Sequence, residues 1–455
     1  MIFKLICVRP ESPDDIEKFY YDNENGLLHD KEGIAIGKPR SDLLNYVPSF
    51  KTDTSNNPIR KHNNPRILKI QLGLSCNYSC SYCLQKYVPK ADEMSLKTVS
   101  SFVDKVKMYL QGQPQNIQLW GGEPLVYIKT LKPLVSELKK IFPRARFTMI
   151  TNGSLLNIEI NDWIMKNEIG ISISHDGPGQ KFRGLDPFEN PEKAEAILDL
   201  YRRKKAVDDP ISIGAMIHAH NPDRAAVVEW FQEKFCDSDI NIGEGAVIEV
   251  YDELAKQNSP SNYETHLMLR QTSFRNIRYQ ADSNFGISKI RISEWLSTMQ
   301  TGRMLDSLGM RCGMDAADTL TVDLMGNVIT CQNTSTMSEA PNGEPHKSGN
   351  IDNIKDIEIK TSVHFMNRVH CRGCPVVQTC KGGCMFLTGE LFNASCDNTF
   401  TDHIPYFVAA VEILTGYVPI YIEDEAGNLP EERKDIFGYG KPKGVKDLVS
   451  KSVDG

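Results

Sequence analysis

Residues 67–83 read ILKIQLGLSCNYSCSYC, a β-rich run followed at once by three cysteines. From about Arg66 to Val250, short β-rich runs of this kind alternate with amphipathic helical stretches, which is typical of a parallel α/β sheet or barrel. Six strand–helix units are predicted, with the strands ILKIQLGL, NIQLWGG, RFTMITNG, GISISHDG, ISIGAMIHA and NIGEGAVIEV. The cysteines therefore follow the first strand, at the strand end where barrel active sites are built.

Three helices between these strands can be predicted from local signals. Asn190-Pro191-Glu192 is a typical helix start, and another helix is predicted from Asp223 to Phe235. The helix after the first strand has an apolar face with helical spacing, formed by Val99, Phe102, Val103 and Val106.

Length and charge limit the classes of partner. The chain has 455 residues, more than one domain usually contains, and 52 Lys and Arg against 59 Asp and Glu give a net charge of -7. This balance argues against broad electrostatic binding to nucleic acid or to an anionic membrane. No apolar run approaches the roughly 20 residues that span a bilayer, and the apolar stretch at the start is too short for a signal peptide. We expect a cytoplasmic protein with neither nucleic acid nor membrane as partner.

The three cysteines Cys76, Cys80 and Cys83 have the spacing C-x3-C-x2-C. Three thiolates on one short loop can ligate three corners of a [4Fe-4S] cube and leave the fourth iron free to bind a small molecule. A zinc site is the alternative, but zinc usually takes four N or S ligands in C-x2-C pairs, and this segment lacks a second half.

With Tyr82, this pattern resembles the C-x3-C-x-aromatic-C signature of the radical S-adenosylmethionine (SAM) superfamily. The resemblance implies a partial (β/α)6 barrel, a [4Fe-4S] cluster and S-adenosyl-L-methionine, with Tyr82 against the adenine. Gly121-Gly122-Glu123-Pro124 resembles the motif that binds the methionine amino group. Thr151-Asn152-Gly153 and Ser174 stand where the family places ribose and carboxylate contacts.

One departure from the family pattern concerns the ribose site. Related enzymes often follow the Ser-x-Asp-Gly-Pro run with a His-Asp pair, whereas here Asp176-Gly177-Pro178 is followed by GQKFRG. Arg183 is a candidate, and the side chain that completes the ribose site stays open.

A second group of cysteines lies near the carboxyl end of the chain, while Cys7 and Cys236 stand alone as ordinary buried small residues. The group resembles the SPASM domain, an extension of radical SAM enzymes that carries two auxiliary [4Fe-4S] clusters, which makes three clusters in all. A zinc ribbon is the alternative. The resemblance assigns an outer cluster to Cys371, Cys374, Cys380 and Cys396, and an inner cluster to Cys312, Cys331 and Cys384.

The inner cluster is one ligand short, because a closed cube needs four. Either another side chain such as Asp306 ligates it, or the site is open. If the reaction also removes a proton, a carboxylate nearby would serve as base, and the candidates are Asp315, Asp318 and Asp323. The plainer interpretation of each is a surface or turn acid.

The predicted fold class is α/β: a partial barrel with a small β-rich N-terminal module and a cysteine-rich C-terminal iron-sulfur domain. The predicted units are an N-terminal module at residues 1–65, a radical SAM barrel at 66–300, a SPASM domain at 301–418 and a C-terminal tail at 419–455. The first unit either binds a leader peptide or caps the barrel.

SPASM enzymes mostly act on peptides or proteins. We therefore predict a maturase that abstracts hydrogen from a ribosomally made precursor peptide through the 5'-deoxyadenosyl radical and forms a thioether or carbon-carbon cross-link. An external donor such as flavodoxin or ferredoxin would supply electrons. The alternatives are a sulfatase-maturing (formylglycine-generating) enzyme, a quinone-cofactor subunit maturase and, outside this class, a non-enzymatic iron-sulfur electron carrier. The residues joined and the oligomeric state stay open.

Overall fold

The computed structural model describes residues 1–43, 59–91, 96–243, 250–314, 316–359, 364–424, 427 and 429–440. Its strands are β1 Ile2–Arg9, β2 Ser12–Asp22, β3 Leu28–His29, β4 Ile67–Gln71, β5 Asn116–Trp120, β6 Arg146–Thr151, β7 Gly170–Ser174, β8 Ser212–Gly214, β9 Thr319–Asp323, β10 Asn327–Ile329, β11 Lys347–Asn350 and β12 Val418–Asp424.

The first five helices alternate with the strands of the larger sheet, and the later ones lie in the second half of the chain. They are α1 Leu96–Tyr109, α2 Ile128–Ile141, α3 Ile158–Lys166, α4 Pro191–Ala206, α5 Arg224–Phe235, α6 Tyr263–Arg278, α7 Gly286–Thr301, α8 Val369–Arg372, α9 Val377–Cys380, α10 Gly389–Thr415 and α11 Glu431–Lys434. None of these helices is both long enough and apolar enough to cross a lipid bilayer.

The larger sheet has the strand order β11-β10-β9-β4-β5-β6-β7-β8. Strands β4 to β8 pair in parallel with their sequence neighbours, and β9 pairs in parallel with the other edge of β4. The predicted α/β class with a mostly parallel sheet is confirmed. Of the sixth predicted strand, Ile242 makes a single parallel bridge to Ile213, and residues 244–249 lie outside the described residues.

Alternating side chains give the parallel sheet two different faces. Leu68, Ile70, Ile117 and Leu119 are fully buried in the core beneath the helices. Their neighbours in the strands, among them Gln118, are only partly buried on the opposite face. One face of the sheet is therefore closed by helices and the other is polar and accessible.

The helix predictions within this unit are confirmed. The apolar face predicted for α1 is buried at all four positions. Asn190 caps α4 by accepting a hydrogen bond from the Lys193 backbone N–H, with Pro191 in the first turn. Asp223 caps α5 in the same way, through the Ala225 backbone N–H.

The two ends of the chain share a second sheet, with the order β12-β1-β2-β3. Strand β12 pairs antiparallel with β1, so that Leu5 lies opposite Ile422. The sequence predicted a tail from residue 419, and the structure places a seven-residue strand there instead. Charge, glycine and proline around this segment hid it, because its pairing partner lies at the other end of the chain.

A second hydrophobic core joins this sheet to the cysteine-rich segment. It contains Phe3 from β1, Trp295 from α7 and Phe407 from α10, together with Cys371 and Cys374. The N-terminal strands, the last strand and the second cysteine group therefore pack around common helices. The boundaries between the predicted domains stay predictions.

Candidate active site and cysteine clusters

The loop that carries the first three cysteines, residues 72–88 and called here the cysteine loop, follows β4 at the carboxyl edge of the sheet. It is hydrogen-bonded to the loop that follows β5. The Gly122 backbone N–H donates to the Gly73 carbonyl at 3.1 Å, and the Glu123 N–H donates to the Ser75 carbonyl at 3.0 Å. The two predicted motifs thus form one backbone framework.

Gly122 is required by this close approach. A Cβ atom at Gly122 would lie 2.6 Å from the carbonyl oxygens of both Leu74 and Ser75, which is closer than real Cβ contacts allow. These are backbone atoms of the cysteine loop, so any side chain would push the loop away. The second glycine of the Gly-Gly-Glu run therefore sets the position of the cysteine loop.

The three thiols of the loop lie near one another and are accessible. Cys76 is exposed, and Cys80 and Cys83 are half-buried. Burial raises the pKa of Cys76 and raises that of Cys80 to about 12; Arg183 opposes the shift at Cys80, and the two other thiols add to it. Thiols that are close together and partly open to solvent fit three ligands of a cluster with one free corner.

Glu123 is almost completely buried, and its carboxylate joins its own loop to the end of β6. It accepts hydrogen bonds from the Leu125 N–H at 3.0 Å, the Thr151 hydroxyl at 2.7 Å and the Asn152 N–H at 2.7 Å. Burial raises the pKa of Glu123, and these hydrogen bonds oppose the shift. A carboxylate has about four acceptor positions, so about one is left for a ligand such as an amine.

Side-chain amides tie the cysteine loop to the loop after β6. Asn152 donates to the Asn77 side-chain oxygen at 2.9 Å, and Asn77 donates to the Ser154 hydroxyl at 2.8 Å. Asn77 is the residue after Cys76. Because Thr151 and Asn152 are already bonded to Glu123, the three motifs of the carboxyl edge form one hydrogen-bonded network.

Tyr82 takes part in a buried polar cluster that the sequence left open. Its hydroxyl donates to Asp176 Oδ2, while Arg183 Nη2 donates to Asp176 Oδ1 at 2.8 Å. The Arg183 guanidinium also lies 5.6 Å from the centre of the Tyr82 ring. Burial raises the pKa of Tyr82 well above its usual range. Arg183 therefore stands beside the aromatic residue of the signature, held there by Asp176.

Three polar atoms around this cluster have no hydrogen-bond partner among the described residues: Gln180 Nε2, Arg183 Nε and His218 Nε2. Gln180 and His218 are at most 2% exposed, and the His218 ring packs against Tyr82 with centroids 5.3 Å apart. Unpaired buried donors and acceptors are costly. Their grouping beside Tyr82 suits a polar ligand such as a ribose or an adenine.

Ser174, the remaining predicted contact, ends β7 and lies half-buried opposite Gly214 of β8. It belongs to the accessible face of the sheet. A cavity of about 430 Å³ opens on that face and extends to the amino-terminal ends of β5 to β7, where Asn116, Arg146 and Gly170 line it. Its lining is mostly uncharged and includes Gln118, Trp120, Thr148, Ile150, Ser172 and Ser212.

In the second group, five cysteines line a common cavity, called here the outer cavity: Cys371, Cys374, Cys380, Cys384 and Cys396. The four cysteines predicted for the outer cluster are therefore brought together, and Cys384 of the predicted inner cluster lies at the same wall. Burial raises the pKa of Cys374 to about 12 and that of Cys380 to about 11.

The predicted inner ligands are linked through two shared neighbours. Cys331 and Cys312 both raise the pKa of Lys69, against the larger lowering by burial, and Cys384 and Cys331 both add to the raised pKa of Tyr251. Cys331 therefore lies near both Lys69 and Tyr251, and each of these two residues also lies near one of the other two thiols. Asp306, the suggested fourth ligand, has a buried Oδ1 with no partner in the described part of the chain.

The two cysteine groups are connected by side chains of β4 and the cysteine loop. Gln71 donates to the carbonyls of Gln332 and Thr334 at 2.9 and 2.7 Å, and Gln85 donates to the Asn333 side chain at 3.2 Å. Gln85 is two residues after Cys83, and Gln332 follows Cys331. The segment with Cys331 therefore lies directly against the cysteine loop.

Of the predicted catalytic acids, the two within the described residues lie at opposite ends of β9. Asp318 precedes β9, at the opposite edge of the sheet from the cysteine loop, and accepts from Arg66 Nε at 2.9 Å. Asp323 ends β9 but accepts from the backbone N–H groups of Met325 and Asn327 and thereby closes the β9–β10 turn. Asp315 lies outside the described residues. Asp318 and Asp323 have the structural roles of the plainer interpretation.

No group of three or more His, Cys, Asp or Glu side chains in the described ranges is arranged to hold a metal ion. Five cysteines nevertheless line the outer cavity, and thiolates are the ligands that an iron-sulfur cube takes.

Sequence reasoning missed a hydrogen-bonded chain beside the inner cysteines. The Tyr251 hydroxyl lies 2.6 Å from His346 Nε2, and the other nitrogen of His346 contacts the Thr330 hydroxyl. Burial lowers the pKa of His346 to about 4. Tyr251 follows the last predicted barrel strand, and Thr330 precedes Cys331. The only available signal was that position after a strand, since His346 is distant in sequence.

Comparison with known proteins identifies the class that this site defines. Residues 70–230 match the model of the radical SAM superfamily. The chain therefore carries a radical SAM domain over this range, and domains of this kind use SAM and a [4Fe-4S] cluster. The matched range contains the cysteine loop, the Gly-Gly-Glu run, the loop after β6 and Ser174.

Individual relatives are more distant. The chain is 22% identical over 375 residues to the radical SAM cyclopropyl synthase TigE of Paramaledivibacter caminithermalis, covering 75% of this chain and 72% of that one. It is 31% identical over 121 residues to a serine-type anaerobic sulfatase-maturating enzyme of Bacteroides thetaiotaomicron, covering 24% of this chain and 28% of that one. The structure of native anSMEcpe with bound AdoMet and Cp18Cys peptide superposes with a TM-score of 0.52 at 17% identity, covering 76% of this chain and 99% of that one.

Proposed function

We propose that this radical SAM enzyme is a peptide maturase that forms a cross-link, thioether or carbon-carbon, within a ribosomally made precursor peptide. The observation that carries the proposal is the framework at the carboxyl edge, where Gly122 and Glu123 hold the loop of Cys76, Cys80 and Cys83. When bound, SAM would supply a 5'-deoxyadenosyl radical that abstracts a hydrogen atom from the substrate.

The residues of the carboxyl edge have distinct tasks in this proposal. Cys76, Cys80 and Cys83 hold the cluster. Glu123 offers its remaining acceptor position to the amino group of SAM, while Thr151 and Asn152 orient its carboxylate. The other residues proposed at the SAM site are Tyr82, Gly121, Gly122, Pro124 and Ser174. Arg183, already a candidate from the sequence, and His218 are proposed there too, because each has a nitrogen without a partner among the described residues.

The second cysteine group is proposed to be a SPASM domain with two auxiliary [4Fe-4S] clusters. The outer cavity supports the outer set, because its four predicted ligands line one space. For the inner set, Asp306 is the proposed additional ligand, supported by its unpaired buried oxygen. Asp315 stays the proposed base. Flavodoxin or ferredoxin is the proposed electron donor.

The finer architecture belongs to the same proposal. The parallel strands β4 to β8, with the bridge at Ile242, are proposed to form a partial (β/α)6 barrel. Units at 66–300 and 301–418 would be the barrel and the SPASM domain. The strands of residues 1–65 are proposed to grip a leader peptide. The protein is proposed to work in the cytoplasm.

A peptide is the favoured substrate for two reasons. The accessible face of the sheet bears a cavity of about 430 Å³ with a mostly uncharged lining, which suits peptide groups and neutral side chains. The relative that aligns over 375 residues is called a cyclopropyl synthase, and a cyclopropyl ring is closed by a carbon-carbon bond. Within the proposal, this name favours the carbon-carbon product over the thioether.

Sulfatase maturation is the second candidate. It is supported by the 121-residue similarity to a sulfatase-maturating enzyme. The fold shared with the peptide-bound anSMEcpe structure is compatible with either protein or peptide substrates. A quinone-cofactor subunit maturase has no specific observation in its favour.

The test is anaerobic co-expression with short open reading frames next to the gene, followed by intact and fragment mass spectrometry. Loss of two hydrogens from a peptide is expected, with 5'-deoxyadenosine as co-product. The change should disappear when Cys76, Cys80 and Cys83 are replaced by Ala. Cys236→Ala is the matched control, because this cysteine, which the sequence suggested to be buried, is exposed and remote in sequence from both groups.

Three outcomes separate the candidates. An unmodified peptide together with formylglycine in a co-expressed sulfatase would favour the second candidate. A purified, fully loaded enzyme that makes no 5'-deoxyadenosine under reducing conditions would indicate an electron carrier. A hydrogen loss that persists in the triple cysteine variant would contradict the proposal.

Leader binding needs a test that leaves the second core intact. Deleting the first residues would remove Phe3 and Tyr21, which are completely buried. Ile16 of β2 is 42% exposed and is the better position. Ile16→Asp should weaken binding of the leader in solution if β2 contacts it, and unchanged affinity would argue against this contact.

A further inference from the structure

Two buried arginines flank the outer cavity, and neither belongs to the cysteine pattern. Arg433 lies in α11, and Arg368 precedes α8. Both are 8% exposed. A buried guanidinium is costly unless it has hydrogen-bond acceptors and a compensating negative charge. Their surroundings therefore indicate what they compensate.

Arg433 makes a direct contact with a predicted cluster ligand. Its Nη2 donates to the Cys396 sulfur at 3.2 Å and to Asp397 Oδ1 at 2.6 Å. Its Nε donates to the same carboxylate oxygen at 3.2 Å, which fixes the orientation of the guanidinium plane. Asp397 is half exposed on its side-chain surface, so water screens part of that ion pair.

Arg368 binds the backbone of the segment that carries Cys384. It donates to the carbonyls of Gly382 and Cys384 through Nη1, at 3.3 and 3.4 Å, and to those of Met385 and Leu387 through Nη2, at 3.1 and 2.8 Å. Within the described ranges, no carboxylate forms an ion pair with it. Its charge is therefore opposed by carbonyl dipoles and by the nearby thiols.

A cube held by four thiolates is negatively charged in both redox states and gains one more negative charge on reduction. Positive charges and N–H···S hydrogen bonds favour the reduced state, because they stabilise the added charge. We infer that Arg433, through its hydrogen bond to the Cys396 sulfur, and Arg368, through its charge, are positioning residues that raise the reduction potential of the outer iron-sulfur site.

This inference rests on the proposed SPASM clusters. Its test distinguishes a failure of the inference from a failure of the proposed clusters. The full chain with Cys76, Cys80 and Cys83 replaced by Ala is reconstituted anaerobically with iron and sulfide, so that only auxiliary sites are observed. The measurement is the midpoint potential of each reduced cluster signal in an EPR-monitored redox titration. If the parent variant shows no auxiliary signal, the proposed clusters fail and the inference fails with them.

Arg433→Gln is expected to lower the midpoint potential of one auxiliary signal, and Arg433→Lys to lower it less. Arg270→Gln is the matched control, because Arg270 is also buried, also packs on Phe400 and also holds α11 through the Glu432 carbonyl at 3.0 Å. It donates no hydrogen bond to a cysteine in the described part of the chain, so its potential shift should be small.

Three results would overturn the inference. One is a retained signal with unchanged potential in Arg433→Gln. Another is an equal shift in Arg270→Gln, which would mean that loosening of α11 is the cause. The third is loss of the signal from both Arg433 variants while Arg270→Gln still binds iron normally. That result would mean that Arg433 only holds the structure together.

Discussion

The cysteine loop and the outer cavity bring thiols together in different ways. The loop takes its three cysteines from eight consecutive residues at the end of one strand, and its thiols are exposed or half-buried. The cavity takes its cysteines from residues 371 to 396, and Cys371 and Cys374 belong to the second hydrophobic core. The loop thus depends on local backbone contacts, whereas the cavity depends on tertiary packing. This difference fits the proposed roles of the two sites. SAM must reach the cluster of the cysteine loop, whereas only electrons need to reach a cluster in the outer cavity.

The largest expected effect comes from breaking the packing around the cavity. Asp402 of α10 accepts from Arg224 of α5 at 3.0 Å and from Arg291 of α7 at 2.6 Å, and all three side chains are buried. Burial acts to raise the pKa of Asp402, but the two arginines hold it well below its usual range. Asp402→Ala leaves two buried cations without this carboxylate and should cost about 3–5 kcal/mol.

Chemical denaturation followed by circular dichroism measures that loss. Glu195→Ala is the control, because the exposed Glu195–Arg202 pair should contribute about 0.5 kcal/mol or less. The Asp402 substitution should disturb the structure around the outer cavity more than that of the cysteine loop. Equal free energies of unfolding for the Asp402 and Glu195 variants would contradict the view that the outer cavity depends on tertiary packing.

The next effect concerns the backbone contact that positions the cysteine loop. Gly122→Ala forces a Cβ against the carbonyls of Leu74 and Ser75 and should destabilise the protein by about 1–3 kcal/mol. Iron bound by the loop should fall, while iron at the second cysteine group should stay. Iron and sulfide content after reconstitution measures this, and the variant with Cys76, Cys80 and Cys83 replaced by Ala gives the iron of the second group alone.

Gly286→Ala is the matched substitution for this experiment. The nearest atom to a Cβ there lies 3.7 Å away, which is an ordinary contact. The loop should then keep its full iron content. If Gly122→Ala also kept it, the close approach of the two loops would not be what positions the thiols.

Acid should affect both regions through buried histidines. Burial lowers the pKa of His218, beside Tyr82, and of His266, between α6 and α10, to about 4 each. In the unfolded chain these histidines titrate near 6.5, so the unfolded state binds more protons between pH 6.5 and 4. Their contribution to stability is full above pH 6.5 and is lost as the pH falls toward 4, by about 1–3 kcal/mol.

Unfolding free energies at pH 7 and pH 5 measure this loss. His266→Asn should reduce the pH dependence of the second region, and His218→Asn that of the first. Asn keeps a polar side chain but does not titrate in this range. A pH dependence identical in the two variants and the parent would show that other groups dominate.

Short-range sequence patterns predicted the α/β unit around the cysteine loop well, because each helix and strand there depends on its own residues. The apolar face of α1, the caps of α4 and α5 and the order of strands β4 to β8 all follow from short-range spacing. Strand β12 could not be predicted in this way. Lys4 of β1 and Glu423 of β12 form an ion pair at 2.7 Å across 419 residues of sequence.

The same contrast holds for the sites. The cysteine spacing and the Gly-Gly-Glu run were visible in the sequence, and the structure brings them to one edge. The link from Tyr82 to Arg183 through Asp176 was not visible, because Asp176 has the sequence appearance of a turn residue before Gly177-Pro178. The acids were the weakest prediction. Asp318 precedes its strand, and an acid before a parallel strand lies at the edge opposite the cysteine loop.

The smallest expected effect follows from that position. Asp318→Asn removes the partner of Arg66 in an ion pair whose two side chains are 48% and 35% exposed, so the loss of stability should be below about 1 kcal/mol. Because Asp318 lies at the amino edge of the sheet, the rate of 5'-deoxyadenosine formation and the yield of modified peptide should both stay at the parent level. Liquid chromatography of the nucleoside and mass spectrometry of the peptide measure the two quantities.

Asp315→Asn is the informative comparison: as the proposed base, it should lower the yield of modified peptide while 5'-deoxyadenosine still forms. Equal loss of product in both variants would mean that an acid at the amino edge takes part in the chemistry, and the contrast between the two edges of the sheet would have to be abandoned.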